Sequence, residues 1–185
     1  MKAAIVGYGD LGRYMKNVLV EDNGYSEDDL VFFDDDHSRK GILNSYPFCQ
    51  FEDNLFNEFE FYICLGYLHQ ELRLSIIDKL LALGRKVPSY IDTSAYLHST
   101  VTLGHGAFIY PGCNVDRGTS IGTGSWIANS SVISHDCSIG KGCWFGQNVV
   151  LSGRVVVKNH TFIGAGSTIS NDVRIGSDVV IGLAS

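Results

Sequence analysis

Three residues in the second half of the chain have types and spacing suited to proton transfer. His135 is followed directly by Asp136, and Gly153 lies 18 residues after the histidine. An imidazole titrates near neutral pH, so it can accept a proton from an attacking group. The missing side chain of a glycine lets a backbone N–H approach a reacting carbonyl. An ordinary surface histidine and an ordinary turn glycine are the alternative interpretations.

A second candidate site is a glycine-rich segment near the amino terminus. It consists of Gly7, Tyr8, Gly9, Asp10, Leu11 and Gly12. This is the G-x-G-x-x-G pattern, placed between an apolar strand pattern and a helical one, and the N–H groups at a helix start favour a phosphate. Asp34 and Asp35 follow as acids that could bind a ribose or a base, or only cap a strand end. An NAD-dependent enzyme is one interpretation, although the domain has about half the usual size and no hydride-transfer site follows.

The first half of the chain alternates strand and helix patterns. Apolar runs predict three strands, at 2–6, 30–33 and 59–65. Helical spacing of apolar residues predicts two helices, at 11–20 and 69–83. This order predicts a small doubly wound, Rossmann-like domain with a parallel sheet over residues 1–88.

The second half has a period of six residues. Every sixth residue from Ile91 to Ile181 is large and apolar, and the residue two positions earlier is small or β-branched. Side chains two apart in a strand share a face, so both sets point inward. This spacing is typical of hexapeptide repeats and predicts a parallel β-helix over 89–185, with about five triangular coils of roughly 18 residues each. A conventional β-sandwich would instead require strands of period two.

The coil length predicts how the candidate residues meet. Residues 18 apart should stack, which places Gly153 beside His135 in the next coil. Burying a charged side chain inside the coil is costly, so we expect His135 at a corner, pointing outward. Its pairing with Asp136 also requires a corner, because strict alternation would place neighbours on opposite faces.

Composition narrows the classes of protein. A net charge of -6 without a run of Lys or Arg argues against a nucleic-acid partner. No stretch reaches the roughly 20 apolar residues of a membrane span, and the amino terminus lacks a signal-peptide pattern, so we expect a cytoplasmic protein. Of five cysteines, Cys113, Cys137 and Cys143 fall on the small inward phase, which predicts buried thiols rather than zinc ligands or disulfides.

Residues 130–140, together with this two-part layout, resemble a family of hexapeptide-repeat sugar acetyltransferases. Its members are related to sialic acid O-acetyltransferase and to the bacillosamine-pathway UDP-amino-sugar N-acetyltransferase. The resemblance implies a left-handed β-helix, a homotrimer, and acetyl-CoA bound in the groove between adjacent β-helices. It also implies that His135 is the general base, that Asp136 assists it, and that Gly153 supplies an amide donor.

The resemblance further implies residues that contact the two substrates. The CoA site is expected at Gly164, Ala165 and Gly166, at Trp144, where the family has a second histidine, and at or beyond Leu183. The glycine-rich segment with Asp34 and Asp35 is expected to hold a nucleotide-linked sugar, as are Gly66 and Tyr67 after the third strand. The loop differs from the family pattern, which commonly has Ser-Gly-His at residues 9–11.

We therefore interpret the sequence as an acetyl-CoA-dependent acetyltransferase that requires no metal and modifies an amine, or a hydroxyl, of a nucleotide-linked amino sugar. The alternatives are a sialic acid-type sugar O-acetyltransferase and a non-catalytic nucleotide-binding trimeric module. A β-helix carbonic anhydrase is disfavoured, because those enzymes bind zinc with a histidine pair five residues apart and no two of the six histidines have that spacing.

Overall fold

The computed structural model describes residues 1–36 and 44–185. The chain forms two compact units, Met1–Pro88 and Ser89–Ser185. Of the helices in the described ranges, none combines the length and the apolar character that a bilayer crossing requires.

The first unit contains a parallel four-stranded sheet with two helices. Its elements are β1 (Lys2–Val6), α1 (Asp10–Glu21), β2 (Leu30–Phe33), β3 (Ser45–Tyr46), β4 (Phe59–Ile63) and α2 (Gln70–Ala82). The strand order is β3-β2-β1-β4, and every pairing is parallel. The third predicted strand ends two residues early, at Ile63, and β3 has no counterpart in the sequence prediction, because two residues carry no periodic signal.

The core of this unit is aromatic. Phe33, Phe56 and Phe61 are each no more than 1% exposed, and the rings of Phe33 and Phe56 meet edge to face with centroids 4.9 Å apart. Ile77 and Leu80 of α2 are fully buried in the same cluster. The central strands are apolar on both faces, as expected for a parallel sheet that is covered on both sides. This packing holds the carboxyl ends of β1, β2 and β4 in place.

The second unit is a parallel β-solenoid of about five coils. Its sixteen two-residue strands are β5 (Tyr90–Ile91), β6 (Tyr96–Leu97), β7 (Thr102–Leu103), β8 (Phe108–Ile109), β9 (Asn114–Val115), β10 (Ser120–Ile121), β11 (Trp126–Ile127), β12 (Val132–Ile133), β13 (Ser138–Ile139), β14 (Trp144–Phe145), β15 (Val150–Leu151), β16 (Val156–Val157), β17 (Phe162–Ile163), β18 (Thr168–Ile169), β19 (Arg174–Ile175) and β20 (Val180–Ile181).

These strands form three sheets, which are the three faces of a prism. Face one is β5-β8-β11-β14-β17-β20, face two is β6-β9-β12-β15-β18, and face three is β7-β10-β13-β16-β19. Val132 pairs with both Asn114 and Val150, so residues 18 apart lie side by side. The predicted parallel solenoid and its 18-residue coil are therefore confirmed.

The small inward-pointing residues form hydrogen bonds with buried backbone N–H and carbonyl groups at the corners. Ser125 Oγ donates to the carbonyl of Gly140 at 2.7 Å and accepts the N–H of Cys143 at 3.0 Å. Thr119 makes the same pair of contacts, with Ser134 and Cys137. Buried polar groups are stable when hydrogen-bonded, so a hydroxyl costs little at this position.

The cysteines on the inward phase are free and buried. The Cys137 Sγ lies 3.2 Å from the carbonyl oxygen of Ser152, so the thiol replaces a hydroxyl in the ladder. Burial raises the pKa of Cys137 and of Cys113. These thiols are therefore part of the packed interior.

Candidate active site

His135 lies on the outer surface of the solenoid, at the corner between faces two and three. It follows β12 and precedes β13, and 34% of its side chain is exposed. The next residue, Asp136, has φ +59°, a left-handed conformation that turns the chain at this point. The corner places the neighbouring side chains on the same side, as their pairing requires.

The side chains of His135 and Asp136 form an ion pair or hydrogen bond through the ring nitrogen Nδ1. His135 Nδ1 lies 2.8 Å from Asp136 Oδ2. The hydrogen bond from His135, followed by the positive charges of Arg117 and Arg154, lowers the pKa of Asp136. A carboxylate at Nδ1 favours the tautomer with the proton on that nitrogen, which leaves the lone pair on Nε2.

The Nε2 edge of the imidazole lies against Gly153 of the next coil. A Cβ atom at Gly153 would be 2.7 Å from Nε2 and 2.8 Å from Cε1 of His135. Real Cβ atoms do not approach other atoms this closely, so any other residue at 153 would displace the ring. The structure thus brings His135, Asp136 and Gly153 together.

The backbone N–H of Gly153 already has an acceptor, which the sequence did not predict. It donates to Asn171 Oδ1 at 2.8 Å. Asn171 lies one further coil along the same corner column, 36 residues after His135. That spacing is the one signal in the sequence that could have identified it. An acceptor oxygen at Gly153 must therefore compete with this side chain.

The residues predicted to bind CoA lie elsewhere on the prism. Gly164, Ala165 and Gly166 follow β17, at the corner between faces one and two, and the exposed Leu183 follows β20 at the same corner. Trp144 is on face one, stacked on Trp126 with ring centroids 4.8 Å apart. Within one solenoid, face two separates the Gly164 corner from the His135 corner. A single chain does not bring these two groups together.

The glycine-rich segment forms one wall of a cavity in the first unit. The cavity has a volume of about 390 Å³ and is lined by Gly7, Gly9, Asp10, Leu11, Asp34, Phe48, Cys64, Leu65, Gly66 and His69. Five of these are predicted substrate residues: Gly7, Gly9, Asp10, Asp34 and Gly66. Tyr8, Asp35 and Tyr67 do not line it. Phe48, Cys64, Leu65 and His69 were missed. Cys64, Leu65 and His69 lie within three residues of the predicted Gly66, whereas nothing in the local sequence of Phe48 links it to the loop.

Two glycines of the motif are required by the backbone. Gly7 has φ +87°, and a Cβ there would lie 2.8 Å from Leu65 Cδ2. A Cβ at Gly12 would lie 2.1 Å from the carbonyl oxygen of Gly7. The motif therefore allows α1 to begin directly at the sheet edge. Gly9 is the N-cap residue of α1 and has no side chain that could accept a hydrogen bond. The N–H groups of the first helical turn therefore have no side-chain acceptor at Gly9.

The acids after β2 hold backbone groups. Asp34 accepts the N–H of Tyr8 at 2.6 Å and the N–H of Asp36 at 2.9 Å. Asp35 accepts the N–H of Phe48 at 2.8 Å. Asp34 thus fixes the glycine-rich loop, and Asp35 fixes the segment that carries Phe48 into the cavity wall. Tyr67 is 49% exposed and begins the short turn that leads into α2.

No family model and no curated protein matches the chain, but solved structures do. The acetyltransferase domain of PglB from Neisseria gonorrhoeae, in complex with acetyl coenzyme A, has a TM-score of 0.87 and 24% identity over 99% of this chain and 88% of that chain. A variant of GDP-perosamine N-acetyl transferase from Caulobacter crescentus, in complex with CoA and GDP-perosamine, has a TM-score of 0.86 and 23% identity over 100% of this chain and 87% of that chain. WeeI from Acinetobacter baumannii has a TM-score of 0.85 and 20% identity over 99% and 89%. This chain therefore has the fold of these proteins over nearly its whole length.

Proposed function

We propose that this protein is an acetyl-CoA-dependent acetyltransferase that modifies the amine of a nucleotide-linked amino sugar. The observation that carries the proposal is the His135–Asp136 pair, whose free Nε2 edge faces Gly153 on the outside of the solenoid. The fold is shared with proteins solved with acetyl coenzyme A or with CoA and GDP-perosamine, which supports the choice of donor and acceptor. A requirement for a metal ion is not part of the proposal.

In this mechanism His135 is the general base. The sugar amine attacks the thioester carbonyl carbon, a C–N bond forms, and His135 Nε2 takes the proton that leaves the nitrogen. The negative charge that develops on the carbonyl oxygen is stabilised by the Gly153 N–H. The C–S bond then breaks and the sulfur receives the proton from His135. The products are the N-acetylated sugar and the CoA thiol.

The positions of the expected CoA residues support a homotrimer of left-handed β-helices. Ala165 and its glycine neighbours lie on a different prism edge from His135. A CoA molecule that lies between two parallel solenoids can contact the His135 edge of one copy and the Ala165 edge of another. Trp144 and Leu183 are expected to contribute to the same groove.

The first unit is proposed to hold the nucleotide-linked sugar. The strand order β3-β2-β1-β4 with a glycine-rich turn after β1 favours a Rossmann-like domain. Ligands bind at the carboxyl ends of parallel strands, where the cavity with Gly7, Gly9 and Gly66 is found. The N–H groups that begin α1 suit a phosphate. We expect the protein to act in the cytoplasm.

The test is acetyl transfer to a panel of nucleotide-linked amino sugars. Purified protein is incubated with acetyl-CoA and each UDP- or GDP-linked amino sugar, and the products are separated by chromatography and weighed by mass spectrometry. We expect a mass increase of one acetyl group on the amine with one sugar class. Sialic acid and other hydroxyl acceptors in the same panel distinguish an O-acetyltransferase.

A non-catalytic nucleotide-binding module is a second candidate, favoured by the engagement of the Gly153 N–H with Asn171. Calorimetric titration with acetyl-CoA and with each nucleotide separates the two. A module binds nucleotide without binding acetyl-CoA, and that result would refute the proposed transferase.

A further inference from the structure

Two hydrogen bonds hold the segment with Asn171 and Asp172 against the proposed reaction centre. Its Oδ1 accepts the N–H of Gly153 at 2.8 Å, and the N–H of the following residue, Asp172, donates to the carbonyl of Gly153 at 3.1 Å. The coil that carries residues 171 and 172 therefore contacts both polar groups of Gly153. The other side of Gly153 lies against the imidazole of His135.

A hydrogen bond of the same kind, from a backbone N–H to an asparagine 18 residues later, occurs at another corner, where it has a structural role. Asn159 Oδ1 accepts the N–H of Lys141, 18 residues earlier, at 2.9 Å. The carbonyl of Lys141 likewise accepts the N–H of the following residue, His160, at 2.9 Å. The two asparagines therefore make a matched pair, and the imidazole of His135 lies against the glycine that Asn171 holds.

The Asn171 carboxamide can also act as a hydrogen-bond donor. Its Nδ2 carries two N–H groups, and within residues 1–36 and 44–185 it makes no hydrogen bond. The residue is exposed at the solenoid surface, so its terminal group can turn without disturbing the core. One N–H donates well to one acceptor at a time. A thioester oxygen at Gly153 therefore displaces Oδ1.

We propose that Asn171 is a further catalytic residue, whose carboxamide supplies a second hydrogen-bond donor to the thioester oxygen. When that oxygen takes the Gly153 N–H, the displaced carboxamide turns and Nδ2 donates to the same oxygen. Two donors stabilise the developing negative charge better than one, and both belong to residues that already lie beside the reaction centre before the substrate arrives. This inference rests on the proposed acetyl transfer.

The experiment compares Asn171→Ala and Asn171→Asp with the control Asn159→Ala. An alanine removes the second donor, whereas an aspartate still accepts the Gly153 N–H but cannot donate and repels the oxyanion. We expect kcat to fall roughly 100-fold in both variants, with the KM for acetyl-CoA within about twofold, because the contact strengthens only as charge develops. Asn159→Ala should keep the wild-type kcat.

A second readout separates a donor from a structural role. Acetyl-CoA labelled with carbon-13 at the carbonyl is bound to each protein without acceptor, and the infrared carbonyl band is recorded. Hydrogen bonds lower the frequency of this band, so the shift on binding should be smaller in Asn171→Ala than in wild type. The control Asn159→Ala should show the wild-type shift, and thermal melting should show that all variants remain folded.

Each result decides the question. A kcat of Asn171→Ala within twofold of wild type overturns the inference, as does a reduced kcat with an unchanged carbonyl band. A wild-type protein that binds no acetyl-CoA overturns the proposed transferase and this inference together. Normal binding and turnover by wild type, with no effect at Asn171, overturn this inference alone.

Discussion

His135 and Gly153 lie in successive coils of the solenoid. The imidazole of His135 occupies the space that the side chain of any other residue at position 153 would need. A Cβ at Gly153 would lie 2.7 Å from His135 Nε2. The glycine is thus part of the shape that receives the imidazole, independently of its own N–H. Because the position of this ring depends on an absent side chain, even a methyl group at position 153 would disturb it.

Gly153→Ala should lower turnover by roughly 100-fold, because the added methyl displaces the imidazole by a substantial part of an ångström or more. The backbone at Gly153 needs no left-handed φ, so the fold should survive, with a melting temperature within a few degrees of wild type. The control is Gly176→Ala, where a Cβ would have its nearest neighbour at 3.7 Å. Equal turnover in both variants would show that the contact with His135 has no functional role.

His135→Asn should abolish acetyl transfer while the protein remains folded, because the side chain is on the surface and no packed interior is lost. Asp136→Asn should reduce kcat by at least about tenfold, since the hydrogen bond that selects the ring tautomer is weakened. Both are measured as rates of acetylated sugar production at saturating substrates. A His135→Asn variant with near-wild-type turnover would contradict the assignment of the base.

The lowered pKa of Asp136 predicts how its carboxylate affects the pH dependence of turnover. Its pKa is lowered from the ordinary 3.8, first by the hydrogen bond from His135. A lowered pKa means that the carboxylate is charged above pH 3.8 and loses its charge only as the pH falls through the lower folded value. Any fall in kcat/KM between pH 8 and 5 is therefore not titration of this carboxylate, and a fall should remain in Asp136→Asn at a lower overall rate. A fall that disappears in this variant would assign the titration to Asp136.

Ile133→Asp should unfold or aggregate the solenoid. Ile133 is 0% exposed, and a carboxylate there would be buried without a partner at a cost of about 4 kcal/mol or more. Ser138→Asp places the same charge on the exposed outer side of β13, so it serves as the control. Thermal unfolding followed by circular dichroism measures both, and a cooperative wild-type transition in Ile133→Asp would contradict the inward orientation.

Only one cysteine should react quickly in the native protein. Cys49 is exposed, whereas the other four are buried, and burial raises the pKa of Cys64 among them. The thiolate is the reactive species, so a raised pKa and a closed surface both slow alkylation. Iodoacetamide labelling followed by peptide mass spectrometry should find the label at Cys49. In Cys49→Ser, rapid labelling should require denaturant.

Asp34→Ala should weaken binding of the nucleotide-linked sugar without affecting acetyl-CoA. The substitution removes the acceptor of the Tyr8 N–H and loosens the glycine-rich loop. A hydrogen bond to a charged group contributes about 1.5–3 kcal/mol, so the KM for the sugar should rise roughly tenfold or more. Asp28→Ala, on the exposed turn before β2, is the control. An unchanged KM would remove the loop from the substrate site.

The sixfold period and the 18-residue coil were determined by the sequence alone, and with them the stacking of His135 on Gly153. Inward and outward positions alternate locally, so a regular repeat specifies which side chains fill the prism and which residues are neighbours between coils. The same period places Ala165, 30 residues after His135, on a different edge of the prism. Only the tertiary structure decided that Asn171 accepts the Gly153 N–H and that Asp34 holds Tyr8. Those relations depend on rotamers and on loop paths such as the one that carries Phe48, neither of which leaves a periodic trace in the residue types.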